Sequence, residues 1–177
     1  MIHLAHLLYE LRLLSHQSGE WTLFSAHINE TELNLLFEKF LFNFFRIEQD
    51  EYRVHGERMR WGLEGNDEYL PRMETDVSLT HKRKCKKIII DAKFYKQMFQ
   101  MNYDKLSFHS HHMYQMFTYL QHQPEDLEVR GILIYPENGY EIKEIYRFNE
   151  RMSFEVATVN LEASWLEIER ELQMIIK

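Results

Sequence analysis

Between Leu70 and Tyr95 two short apolar-rich segments flank a basic run, and this pattern constrains the fold more than any other part of the chain. Side chains of an extended strand alternate between faces. In the run from Lys87 to Tyr95, Asp91 and Lys93 therefore project from one face and Ile88, Ile90, Ala92 and Phe94 from the other. In the first segment Met73, Thr75, Val77 and Leu79 alternate with Arg72, Glu74, Asp76 and Ser78, which puts Asp76 on the polar side. The segments are close enough to pair as a hairpin, bringing Asp76 beside Asp91 and Lys93. Two carboxylates and an amine on one sheet face suit a divalent cation with a charge partner for a phosphate. An isolated D-x-K is more often a solvated strand face, because so short a pattern recurs by chance. Here an upstream acid, a triple-Ile run and a later Gln-bearing helix accompany it.

A chain of 177 residues, 45% hydrophobic and 14% aromatic, supports one domain with a sizeable core. The single cysteine, Cys85, excludes a disulfide framework and a four-cysteine zinc or iron–sulfur site. No apolar run reaches the roughly 20 residues needed to span a bilayer. His3, His6, Glu10 and Arg12 argue against a signal peptide, so a cytoplasmic location with no membrane partner is expected. The formal net charge of −7 argues against nonspecific DNA binding by the whole surface. A chain with that balance needs a local basic patch, a metal or a partner to hold a nucleic acid.

The spacing of Leu4, Leu7, Leu8, Leu11 and Leu14 predicts a short amphipathic helix, followed by a polar loop, so that residues 1–30 lead into a core over 31–177. Asn29 followed three residues later by Glu32 resembles a helix start. The helix it opens runs to about Ile47 and is apolar enough to be buried on most sides, which leaves Glu38 in need of a partner, a metal or a proton. An ion pair or a solvent-facing stripe is its bland alternative. Tyr52–Leu63 reads as an edge strand. The His81–Lys87 loop holds five of the 21 Lys and Arg residues. It is either a solvated hairpin tip or a phosphate-contacting finger beside the site.

Residues 99–108 read as irregular. A helix over 110–121 turns Met113, Met116, Phe117 and Leu120 inward and sets Gln115 and Tyr119 on one face. His109, His111 and His112 are spaced too closely to share a face, so a zinc site is not expected there; His109 or His111 is placed near the substrate instead. Val129–Pro136 is a strand, Asn138-Gly139 signals a hairpin, Tyr140–Phe148 reads as its return, and Ser153–Val159 adds another strand. An amphipathic helix over 161–176 closes a mixed α/β sandwich.

The order acid, D-x-K strand, Gln-bearing helix is the PD-(D/E)xK nuclease arrangement. Three stretches resemble the McrC family: Leu70-Pro71-x-Met73-x-Thr75-Asp76-Val77-Ser78-Leu79, Ile88-Ile89-Ile90-Asp91-Ala92-Lys93-Phe94-Tyr95, and Met113-Tyr114-Gln115-Met116-Phe117-Thr118-Tyr119. The likeness extends upstream to Leu36-Phe37-Glu38-Lys39-Phe40 and covers the family's carboxy-terminal, nuclease half. McrC is the nuclease subunit of a GTP-dependent restriction system that cuts modified-cytosine DNA.

The resemblance implies a restriction-endonuclease-like fold, a mixed central β-sheet flanked by α-helices. It implies Mg2+ (with Mn2+ as substitute) held by Asp76, Asp91, the backbone carbonyl of Ala92 and Glu38. Lys93 would orient or deprotonate water, or stabilise developing charge. Gln115 would hold the substrate or the nucleophilic water, and Tyr119, its partner in a pair typical of the RecB-like branch, would position substrate; Lys82, Arg83 and Lys84 would join it on the phosphate-contacting reading of their loop. The implied partners are DNA and a McrB-like AAA+ GTPase; a homodimer is one way to cut both strands, and the sequence leaves the oligomeric state open.

Family members usually carry an amino-terminal region that docks on the GTPase, so this chain is expected to be a fragment, a shortened homologue or half of a split subunit. Nothing in it resembles a Walker-type loop, and it is not expected to hydrolyse GTP. Two other classes stay open: a standalone repair or defence nuclease, and a non-catalytic DNA-binding or assembly module that keeps the fold.

Overall fold

The computed structural model describes residues 30–95, 98–102 and 104–177, so the helix expected over His3–Leu14 and the loop after it lie outside the described residues. Helix α1 (Glu30–Glu48) drives Phe37, Phe40, Leu41, Phe44 and Phe45 into the core. Its burial is narrower than its composition suggests. Leu35 and Ile47 are 48% and 56% exposed, so α1 packs through one broad stripe and leaves the rest to solvent.

The strands follow as β1 (Tyr52–His55), β2 (Arg58–Met59), β3 (Met73–Glu74), β4 (Val77–His81), β5 (Lys86–Ala92), β6 (Phe99–Asn102) and β7 (Lys105–Phe108). Helix α2 (Ser110–Gln121) leads to β8 (Glu128–Pro136), β9 (Lys143–Arg147), β10 (Met152–Val159) and helix α3 (Trp165–Ile175). Six strands form the main sheet in the order β1-β4-β5-β8-β10-β9. Strands β5, β8 and β10 run parallel, and β1, β4 and β9 pair antiparallel to their neighbours. Parallel neighbours need a crossover, and α2 lies in the one from β5 to β8.

The period-2 reading of β5 holds. Ile88, Ile90 and Ala92 pack with α1 and α3 on one face, and Ile89 packs with Met116 and Leu120 of α2 on the other. A capping box starts α3: the Ser164 hydroxyl accepts from the Glu167 amide, and the Glu167 carboxylate accepts from the Ser164 amide. The helix therefore begins at Trp165 rather than at 161.

Three expectations are corrected. The segment 73–79 is not one strand, since the chain breaks at Thr75–Asp76 and Met73 packs into the α2-side core while Val77 and Leu79 pack into the other. Asn138-Gly139 does turn the chain, with Gly139 at φ 78°, but β9 does not return along β8. β10 takes that place because Phe154, Val156, Ala157 and Val159 are apolar enough for the interior. Strand β9, Lys-Glu-Ile-Tyr-Arg, is exposed throughout and forms the edge, where charge discourages further pairing. Residues 99–108 form a two-stranded ribbon, β6 on β7, with Phe99 and Phe108 stacked at 5.2 Å.

Gly131 sets how closely α2 lies on β8. A Cβ there would stand 2.5 Å from Met116 Sδ and 2.9 Å from Met116 Cγ. Met116 is fully buried and has no room to yield. Gly131→Ala should therefore cost about 1–3 kcal/mol through overpacking, read as a lowered urea midpoint with an unchanged denaturant slope.

Candidate active site

The acids and the lysine gather where β5 ends. Asp91, the sixth residue of β5, is wholly buried, and Lys93 just past the strand is 8% exposed. Lys93 Nζ lies 2.6 Å from Asp91 Oδ2 and donates to Gln115 Oε1 at 2.9 Å. Lys93 is thus paired with Asp91 through Oδ2, while Asp91 Oδ1 is buried without a hydrogen-bond partner among the described residues. The array continues from Gln115 Nε2 to the Tyr119 hydroxyl at 2.8 Å, and that hydroxyl donates to the Glu74 carbonyl at 2.8 Å. Gln115 and Tyr119 are one helical turn apart on α2, so a single helix face fixes the lysine head.

Asp76 stands at the bend before β4, and its Oδ2 accepts from the Ala92 amide at 2.8 Å. Strand β4 begins at Val77, opposite Ile90, so the ladder leaves the edge of Ala92 to that carboxylate. In a strand ladder a residue's N–H and C=O point to the same side, so the Ala92 carbonyl is directed toward Asp76 as well. Glu38 arrives from α1 in the opposite layer. Asn34, one turn earlier, donates through Nδ2 to Glu38 Oε1, and its Oδ1 accepts from the Phe94 amide at 2.8 Å. Asn34 thus ties the helix to the end of β5. The sequence pattern did not single it out, although its spacing of four from Glu38 puts both on one face.

The three acids strain one another. Burial, then the charges of Asp91 and Glu38, push Asp76 up to about 8. Burial raises Asp91 against the pull of Lys93, and burial followed by the charge of Asp91 raises Glu38. Burial pushes Tyr119 up to about 12, which keeps it a neutral hydroxyl donor. Buried acids that feel one another's charge, with an oxygen left unpartnered as Asp91 Oδ1 is, are what a cation would relieve. The donors are all oxygen, which suits a hard divalent ion rather than zinc. Among the described residues no three acidic, histidine or cysteine side chains stand close enough to enclose an ion by themselves.

Two placements differ from expectation. Lys82, Arg83 and Lys84 lie at the tip joining β4 to β5, whereas Asp76 and Asp91 lie at the open end of that hairpin. Five residues separate Lys86 from Asp91, about 17 Å at strand rise, so the basic loop is not a finger beside the site. Its lysines are also engaged, Lys82 with the Asp50 carbonyl and Lys86 with Glu128.

The three histidines do meet, with ring centroids 4.0–5.5 Å apart. His109 precedes α2 in extended conformation, so the helical spacing rule does not govern it. His112 is buried, its Nδ1 2.8 Å from the Tyr135 hydroxyl, and burial with the nearby Lys93 charge lowers it to about 3. It is a neutral support under the site. On α2, His112 and Tyr119 take inner positions, while Phe117 is 44% exposed rather than inward.

A mixed six-stranded sheet between helices, with an acid, a D-x-K strand end and a glutamine from the crossover helix at one edge, is a restriction-endonuclease-like fold. A solved structure of Thermococcus gammatolerans McrB AAA+ hexamers with bound McrC matches it with a TM-score of 0.56 over 80% of this chain and 33% of that one, at 13% identity. The model of the family described as McrBC 5-methylcytosine restriction system component matches residues 1–136. The chain belongs to that family, as the motifs around Asp76, Asp91 and Gln115 led us to expect. It is 34% identical over 160 residues to the type IV methyl-directed restriction enzyme EcoKMcrBC of Escherichia coli K12, a match covering 87% of this chain. The chain spans 45% of that relative, about half its length.

Proposed function

We propose that this chain is a Mg2+-dependent endodeoxyribonuclease, the cleavage component of a McrBC-like restriction system that works with a McrB-like AAA+ GTPase. The observation that carries the nuclease reading is the convergence of Asp76, Asp91 and Glu38 on a lysine held by Gln115. The names of the E. coli relative, a methyl-directed restriction enzyme, and of the Thermococcus assembly, McrB hexamers with McrC, support the partner.

Asp76 and Asp91, with the Ala92 carbonyl, would hold the ion, and Glu38 would complete its shell through water. Bound there, a divalent cation supplies Lewis acidity toward a phosphodiester oxygen and lowers the pKa of water. The chain's own residues do the rest. Lys93, fixed between Asp91 and Gln115, presents a positive head to the scissile phosphate and stabilises charge that builds on it. Gln115 and Tyr119 hold that head in place, and Asn34 holds Glu38 at the strand end.

The test is cleavage of plasmid DNA with Mg2+ or Mn2+, with and without the cognate AAA+ GTPase, beside Asp91→Asn and Asp91→Ala. Cleavage by the native chain that is lost in both variants, while circular dichroism shows them folded, is the expected result. Full cleavage by Asp91→Ala would overturn the site, and cutting indifferent to the GTPase would overturn the partner.

A further inference from the structure

We infer that the outward face of the β2–β3 ribbon, through Arg60 and Arg72 with Arg58 beside them, is the surface that grips the DNA backbone next to the acids. The inference rests on the nuclease reading above and names the part of the chain that holds the substrate. Arg58 pairs with Glu74 and Met59 with Met73 in antiparallel register. Extended by one residue, that register sets Arg60 opposite Arg72. Met59 and Met73 turn inward to the α2-side core, and the three arginines are exposed. Like charges directly opposite each other on a ribbon are destabilising. Among the described residues none of these arginines forms an ion pair or a side-chain hydrogen bond, not even Arg58 with Glu74 across from it.

The ribbon cannot splay to separate them. Thr75 donates its amide to the Glu57 carbonyl at 2.9 Å, and the Glu57 amide donates to Thr75 Oγ1 at 3.0 Å. Further out, Trp61 Nε1 donates to the Pro71 carbonyl at 2.6 Å. At the base the Glu74 carbonyl accepts from Tyr119, the residue that also holds Gln115. Glu74 shares the outward face without pairing to an arginine, and the loop's acids, Glu64, Asp67 and Glu68, lie beyond Arg60 toward the tip, where the Glu68 amide donates to Asn66. Two facing cations on a rigid ribbon leave a positive surface open to an external polyanion.

The location fits. Arg72 is four residues before Asp76, at most about 14 Å of chain, or about four nucleotide steps at 3.4 Å of rise each. The far-end loop of Lys82, Arg83 and Lys84 is separated from the acids by the length of β5. A chain of net charge −7 needs such a local patch if it is to hold DNA at all.

The experiment measures binding of the full chain to a short labelled duplex by fluorescence anisotropy, with Ca2+ in place of Mg2+, across about 50–200 mM salt. Arg60→Ala/Arg72→Ala should weaken binding at least about tenfold and flatten the slope of log affinity against log salt by about 2, near 0.9 for each phosphate no longer neutralised. Arg83→Ala/Lys84→Ala should leave the slope unchanged, and neither double variant should melt below the native chain. Native binding with an unchanged slope in Arg60→Ala/Arg72→Ala, or a loss confined to Arg83→Ala/Lys84→Ala, would overturn the ribbon assignment and leave the nuclease reading standing. Failure of the native chain to bind DNA at any salt would overturn both.

Discussion

Lys93→Met should lower the cleavage rate by about 100- to 10,000-fold, the range for losing a placed proton-transfer or charge-stabilising group. Duplex binding in Ca2+ should change little. The side chain is nearly as long and as apolar in its stem, so the packing around β5 survives and only the charged head is removed. That head is held from two sides, by Asp91 at 2.6 Å and by Gln115 at 2.9 Å, so it cannot be replaced by a cation that merely drifts in. Lys93→Arg should not rescue the rate, because a planar guanidinium does not fit a point contact between a carboxylate and an amide. Gln115→Leu should fall between, since it removes the donor to Tyr119 and the acceptor for Lys93 but leaves the ion pair. Rates measured at saturating DNA separate these cases from a binding defect. A Lys93→Met protein that cut at the native rate would remove the lysine from the chemistry.

Much of this site was legible because its parts are close in sequence and follow strict periods. Asp91 and Lys93 obey the strand period, and Gln115 and Tyr119 obey the helix period. Asp76 needed only the hairpin. The same hairpin should also have excluded Lys82, Arg83 and Lys84 as site residues, since a hairpin's tip and its open end are a strand length apart. The order of β8, β9 and β10 was not legible from the turn at Asn138-Gly139, because a local turn fixes a reversal and not which strand comes back. Burial decides that. The apolar β10 outcompetes the charged β9 for the interior position. The clustering of His109 with His111 and His112 escaped for a related reason: the rule of helical faces fails for a residue just outside the helix.

Asp76→Asn should make the metal-free protein more stable at pH 8 while abolishing its response to Mg2+. Asp76 is pushed up to about 8 in the fold, against 3.8 for the free group, first by burial and then by Asp91 and Glu38. A folded-state pKa above the unfolded value means that the native protein binds more protons than the unfolded chain across that interval. Stability is therefore full below about pH 4 and is lost as pH rises toward 8. The amide carries no charge to lose, and its oxygen can still accept from the Ala92 amide as Oδ2 does now.

The gain should be about 1–3 kcal/mol at pH 8, discounted because Asp91 and Glu38 share the repulsion, and should vanish near pH 4. At roughly 2–4 °C per kcal/mol for a chain of this size, it is readable by thermal melting in EDTA. Saturating Mg2+ should bind the ionised native cluster and raise the melting temperature of the native protein. It should leave Asp76→Asn nearly unmoved, so the order of the two melting curves narrows or reverses. An Asp76→Asn protein less stable than the native one in EDTA at pH 8 would mean that the hydrogen bond to Ala92 matters more than the repulsion. A Mg2+ shift equal in both would take Asp76 out of the ion's shell. On the proposed reading, the mutual repulsion that weakens the protein without metal is the same repulsion that a bound cation would relieve.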